Sequence, residues 1–60
     1  MDLQTAQMLK ANDLVADSEG KQYVFIKLDE ENDLVVICRA AMGGRIHLYR
    51  EMCSKVEPNS

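Results

Sequence analysis

The fold of this chain is decided by the stretch QYVFIKLDEENDLVVICRA, residues 22–40. It contains two runs rich in β-branched and aromatic residues, Gln22–Leu28 and Leu34–Ala40, which is typical of strands. The short acidic segment between them, residues 29–33, predicts that the two strands form an antiparallel hairpin. An isolated hairpin is at best marginally stable in water. We therefore expect the rest of this 60-residue chain to pack against it.

The segment before the hairpin predicts a short helix. Asp2 is a favourable N-cap residue, and the helix is expected to run to about Lys10 within an N-terminal helical segment, residues 1–11. An isolated helix of this length does not persist in water, so it must dock on the sheet. Asn12 and Asn32 are the non-glycine residues that we expect in the left-handed conformation, which asparagine tolerates.

Three further short strands complete the pattern. Gly20 supplies a turn before the second strand, and Gly43-Gly44 is a strong hairpin signal before the fourth. The five predicted strands cover residues 13–16, 21–28, 34–40, 45–50 and 54–56. Five short strands joined by tight turns predict a small antiparallel barrel, because curling a sheet removes its open edges.

Part of the chain resembles the opening of SH3-like barrels. A leucine (Leu9) precedes the turn Asn12-Asp13-Leu14-Val15, and Gly20 comes before the next strand, Tyr23–Ile26. Asn12 stands where glycine is usual. The late turn followed by Val56 is similar to the way such barrels close. The resemblance implies a mainly β fold, a five-stranded antiparallel SH3-like barrel with a short N-terminal helix, but a fold of this kind serves many functions.

Length and composition predict one domain spanning residues 1–60, with residues 57–60 as a flexible tail. The sequence has no apolar run long enough to cross a membrane and no signal-peptide pattern, so we expect a cytoplasmic protein without a membrane partner. Cys38 lies in an apolar strand and is expected to be a core residue. Both cysteines are expected to be reduced, with a Cys38–Cys53 disulfide as the alternative.

Charge is spread unevenly along the chain. The formal net charge is −3, but residues 1–33 carry eight acidic residues and three lysines, whereas residues 34–60 carry four basic residues and two glutamates. An acidic chain is a poor non-specific binder of nucleic acid, because that affinity comes from neutralising phosphates. The basic second half still allows a local binding patch.

The third strand is apolar on both faces apart from Arg39, so one apolar row must lie on the outside of the sheet. Either Leu3, Ala6 and Leu9 of the helix cover that row, or a partner does, since exposed apolar patches commonly mark interaction sites. The fourth strand adds polar side chains on the same side. The candidate partner-binding residues are therefore Val35, Ile37, Arg39, Arg45, His47 and Tyr49, with Arg50 nearby.

No catalytic signature is present, so we expect no enzymatic activity and no cofactor. His47, Cys38 and Cys53 are the only thiol and imidazole groups, and they lack the close spacing of structural zinc ligands. The low aromatic content argues against base-stacking and proline-rich-peptide modes.

The sequence thus constrains the fold more than the activity. It predicts a small protein-binding or regulatory module, such as an accessory factor encoded by a phage or mobile element, that docks on a larger protein or on itself as a homodimer. A barrel that binds nucleic acid through its basic half is the alternative.

Overall fold

The chain forms one antiparallel sheet and a short helix. The structure is a computed structural model that describes residues 1–57, so the predicted tail lies, apart from residue 57, outside the described residues. The elements are α1 (Leu3–Met8), β1 (Leu14–Ala16), β2 (Gln22–Leu28), β3 (Val35–Arg39), β4 (Arg45–Tyr49), a 3-10 helix (Arg50–Met52) and β5 (Ser54–Lys55). The strand order is β4-β3-β2-β1-β5. The predicted mainly β fold is confirmed. The sheet is not closed, since β4 and β5 do not pair within residues 1–57, so a barrel is not confirmed.

Asp2 starts α1 as expected. Its carboxylate accepts a hydrogen bond from the Thr5 amide at 2.8 Å, and this bond lowers the pKa of Asp2 below its ordinary value. The helix ends earlier than predicted, at Met8, because Leu9 is extended and its own amide bonds to the Ala6 carbonyl.

The glycine turns are confirmed, whereas one asparagine prediction is wrong. Gly20 and Gly43 have φ of 84° and 94°, and Asn12 has φ of 80°. Asn32 is not left-handed, since Asn12 is the only non-glycine residue with positive φ in residues 1–57. Asn32 instead shapes its loop with its side chain, whose oxygen accepts a hydrogen bond from the Leu34 amide at 3.0 Å.

A bulge in β2 decides which side chains face the core. The β2–β3 register pairs Phe25 with Cys38 and Leu28 with Val36, and it shifts between Phe25 and Lys27. Because the extra residue, Ile26, changes the phase of the strand, Phe25 and Leu28 share a face although they are three residues apart. Strict alternation along residues 22–28 predicts one face with Val24, Ile26 and Leu28 and another with Tyr23, Phe25 and Lys27. This grouping is wrong, because the bulge puts Phe25 in the core together with Leu28.

The core lies on one face of the sheet, beneath α1. Its buried members are Ala6, Leu9, Val15, Phe25, Val36, Cys38 and Cys53. Partly buried apolar side chains from β2 and β4 pack around them, including Leu28, Ile46 and Leu48. Ala6 is the only buried residue of α1, and Leu9, directly after the helix, adds the larger contact. Burial of a leucine side chain contributes roughly 1.5–3 kcal/mol, which helps to hold in place a helix too short to stand alone.

Candidate functional site

The six residues predicted to bind a partner lie together on one face of the sheet. The β3–β4 register places them as three directly opposed pairs: Val35 with Tyr49, Ile37 with His47, and Arg39 with Arg45. Opposed residues share a face. The intervening residues of both strands belong to the core or pack against it. We call the face that carries the three pairs the outer face.

The outer face extends beyond the predicted residues onto β2 and β1. Val24 lies opposite Arg39, Lys27 lies opposite Ile37, and Leu14 lies opposite Val24. Sequence reasoning missed these three residues, and simple alternation along β2 groups Val24 with Leu28, which packs against the core. The bulge at Ile26 is what moves Val24 to the outer face. No residue type in β2 predicts a bulge at that position.

The helix does not cover the outer face. Ala6 of α1 and Leu9, the residue that follows the helix, belong to the same buried cluster as Val36 and Cys38, on the opposite side of β3. Of the two alternatives for the outer apolar row, cover by the helix is therefore wrong, and cover by a partner stays a prediction. Ile37 is nonetheless only 7% exposed. Ile37 lies in β3, between Lys27 of β2 and His47 of β4, which are its neighbours on the outer face.

The outer face is basic although the protein is acidic. None of the five strands contains an aspartate or a glutamate, and the carboxylates lie in the turns, the loops and the segments around α1 and the 3-10 helix. Lys27 forms an exposed ion pair with Glu30 at 3.8 Å, which contributes little. Arg39 and Arg45 are exposed, and neither forms an ion pair within the described part of the chain.

Tyr49 connects the outer face to a second apolar feature. Tyr49 is 68% exposed, and it lines a groove together with Leu34, Glu51 and Met52. Leu34 and Met52 are 46% and 56% exposed. Sequence reasoning did not place these two residues in the candidate site, since Leu34 lies just before β3 and Met52 lies in the 3-10 helix.

The guanidinium of Arg50 is hydrogen-bonded to two backbone carbonyls. Its Nε donates to the Asp33 carbonyl at 2.9 Å, and its Nη1 donates to the Met1 carbonyl at 3.2 Å. Arg50, which the sequence places near the candidate residues, thus holds the β2–β3 loop and the N-terminus through its guanidinium.

The His47 imidazole and the thiols of Cys38 and Cys53 do not lie together in one site. His47 is exposed on the outer face, whereas Cys38 and Cys53 are buried in the core as free thiols. Burial, with a smaller effect of Cys53, raises the pKa of Cys38 to about 11, and burial also raises the pKa of Cys53. Both thiols therefore stay protonated near neutral pH and are poor nucleophiles. No group of three potential metal ligands clusters anywhere in residues 1–57.

The acidic turn before β2 is a structural element. Asp17 accepts hydrogen bonds from the amides of Glu19 and Lys21, both at 2.9 Å, and from the Tyr23 hydroxyl at 3.1 Å. Burial raises the pKa of Asp17, but these hydrogen bonds outweigh it and hold the pKa below its ordinary value. The carboxylate is thus committed to closing the turn.

Comparison with protein-family models, with curated proteins and with solved structures finds no match to this chain. Within residues 1–57, no helix has the length and apolar character that crossing a membrane requires.

Proposed function

We propose that this chain is a non-enzymatic protein-binding module of accessory or regulatory type that docks on a larger protein through its outer face. The observation that carries the proposal is the uncovered outer face, on which two arginines and an exposed tyrosine lie around a buried isoleucine. Arginine and tyrosine are among the residues that contribute most to protein interfaces. The pairing of β5 with β1 after a 3-10 helix supports an SH3-like arrangement as the scaffold.

The partner that fits this surface is an acidic protein surface with an apolar centre. Arg39 and Arg45 are directly opposed across β3 and β4, so their like charges repel until an anionic group neutralises them. A carboxylate between the two guanidinium groups relieves that repulsion and forms charge-assisted hydrogen bonds.

Nucleic acid is the second candidate, and the same arginines favour it. Two features count against it. The net charge is −3, and Tyr49 is the only aromatic side chain on the outer face within the described strands, whereas single-strand binders use several stacking platforms. We therefore propose a protein, and not a nucleic acid, as the partner.

An affinity-capture experiment with charge-matched baits tests the proposal. The wild type is compared with the double variant Arg39→Glu/Arg45→Glu and with the control Lys10→Glu/Lys55→Glu, whose positions are exposed and lie off the outer face. Proteins retained by the wild type and the control, and lost with the arginine variant, support the outer face as the docking surface. Circular dichroism verifies that all three baits are folded.

Two results would overturn this proposal. One is capture of the same proteins by all three baits. The other is a shift of DNA or RNA oligonucleotides at low salt that weakens steeply as salt is raised, because that dependence reports phosphate contacts.

A further inference from the structure

One edge of the sheet is long and open. β4 is the last strand on its side and pairs only with β3 among the described residues. It spans five residues, whereas the opposite edge strand, β5, spans two. An unpaired edge is a template for another strand, and natural proteins often protect such edges with proline, bulges or inward-pointing charges. β4 is regular in its pairing with β3 and contains no proline.

The hydrogen bonds that flank the β3–β4 ladder fix which peptide groups of β4 are unpaired. The Ala40 amide donates to the Gly44 carbonyl at 2.8 Å, and the Arg50 amide donates to the Leu34 carbonyl at 2.7 Å. Bonded pairs recur at every second residue of an antiparallel ladder. The peptide groups of Ile46 and Leu48 therefore point toward β3. Those of Arg45, His47 and Tyr49 point to the open edge, except that the Tyr49 carbonyl accepts a hydrogen bond from the Cys53 thiol at 3.2 Å.

We propose that the open edge of β4 pairs antiparallel with β4 of a second copy of this chain, with His47 at the two-fold axis. This inference rests on the proposed function, because it assigns a partner to a strand of the same surface. In this register His47 exchanges both backbone hydrogen bonds with its counterpart. The Tyr49 amide of each chain donates to the Arg45 carbonyl of the other.

The register follows from the length and phase of β4. Residues opposed across a sheet must share a face, so the two-fold axis can pass only through a residue of the strand. Centring on His47 pairs all five residues of β4, whereas centring on Ile46 or Leu48 leaves part of the strand unpaired. Centring on Ile46 also places Arg45 opposite His47.

The side chains of β4 complement each other in this register. Arg45 faces Tyr49 of the second copy, and an arginine over a tyrosine ring is favourable. Glu51 lines the same groove as Tyr49, so it adds a carboxylate beside the incoming guanidinium. On the core side, Ile46 faces Leu48, and both are only partly buried within one chain. The dimer thus covers apolar surface that the single chain leaves accessible.

Such a dimer joins two outer faces into one surface. Opposed residues share a face, so both outer faces point the same way and β4 of each chain continues the sheet of the other. Arg39 and Arg45 then occur twice on one continuous surface. The dimer is therefore a bivalent form of the proposed docking module.

Sedimentation equilibrium on the full chain, from about 10 μM to about 1 mM, tests the pairing, because dimerisation follows mass action. The expected result is a rise from the monomer mass of 6.8 kDa toward twice that value. His47→Pro is expected to remain monomeric, since proline is tolerated where the lost N–H faces an open edge. Arg45→Glu is expected to weaken dimerisation at least about tenfold, and the matched control Lys55→Glu to leave it unchanged.

Amide hydrogen exchange provides a readout that does not depend on any variant. The Ile46 and Leu48 amides should be protected at all concentrations, and the His47 and Tyr49 amides should gain protection only as the dimer forms. A chain that stays monomeric at the highest concentration overturns the inference. So does a dimer in which the His47 amide still exchanges rapidly.

Arg39→Ala separates this inference from the proposed function, because an alanine forms no new ion pair with Arg45, which lies opposite it. Arg39 lies on β3 and has no part in the β4 edge, so its replacement should reduce capture of an acidic partner and leave the dimer intact. A strictly monomeric wild type that still captures its partner through Arg39 and Arg45 refutes the dimer alone. A dimer whose capture of proteins is insensitive to Arg39 refutes the docking surface alone.

Discussion

Arg50 and Met1, 49 residues apart in sequence, hold each other through both main chain and side chain. The N-terminal ammonium of Met1 donates to the Arg50 carbonyl, and Nη1 of Arg50 donates to the Met1 carbonyl at 3.2 Å. The same ammonium donates to the Cys53 carbonyl at 2.6 Å. These hydrogen bonds attach the start of α1 to the 3-10 helix and to Cys53. α1 is therefore held at its N-terminus as well as by its apolar side.

Arg50→Lys should therefore destabilise the fold although it preserves the charge. A lysine cannot bond the Asp33 and Met1 carbonyls with the planar geometry of a guanidinium. We expect a loss of about 1–2 kcal/mol in the free energy of unfolding, measured in urea. Arg39→Lys is the control, because Arg39 is exposed, and its effect should be close to zero. Equal effects of the two changes would show that the contacts of Arg50 do not contribute.

Val36→Ala and Val35→Ala test the sidedness of β3. Val36 is fully buried and Val35 is partly exposed on the outer face. The first change removes core methyl groups and leaves a cavity, so it should cost about 2 kcal/mol or more. The second should cost less than about 1 kcal/mol. The opposite order, measured by urea denaturation, would mean that β3 presents its other face to the core.

The two thiols should be inert in the folded protein. With a pKa of about 11 for Cys38, roughly one thiol in a thousand is ionised at pH 8, and burial also blocks access. A thiol-reactive disulfide reagent should therefore react slowly with the native protein and rapidly in denaturant. Cys53→Ala isolates the behaviour of Cys38. Rapid reaction of that variant without denaturant would contradict the buried position of Cys38.

Asp17 should make the fold sensitive to acid. The pKa of Asp17 in the folded state lies below its ordinary value. The stabilisation that the ionised Asp17 carboxylate gives to the fold is therefore fully present when the pH is above the unfolded-state pKa. It is lost as the pH falls through the folded-state pKa. Unfolding free energies measured from about pH 5 to about pH 2 should fall more steeply for the wild type than for Asp17→Asn. Parallel curves would show that the turn hydrogen bonds do not depend on the charge of Asp17.

Strand positions were predictable because β-branched runs and glycine turns report local preferences. All five predicted strands exist, and their ends differ from the prediction by one residue at most. The six candidate residues share a face because β3 and β4 are regular, so the period of two applies without interruption.

What the sequence did not show depends on contacts between distant residues. The bulge at Ile26 changes the phase of β2, and it moves Phe25 to the core and Val24 to the outer face. The helix packs on the core side because Ala6 and Leu9 complete the cluster around Val36. Neither outcome can be read from a local pattern.

The absence of carboxylates from all five strands has a consequence for how another molecule approaches. Arg39 ends β3 and Arg45 begins β4, so both arginines lie beside the β3–β4 turn, residues 40–44, which contains no acidic residue. An anionic molecule is attracted to this end of the outer face and repelled by the acidic loop, residues 29–33, at the other end of β3, so the electrostatic field orients it before any contact forms. The docking of an acidic partner that we propose therefore needs only a basic end of the outer face and is compatible with an overall negative charge.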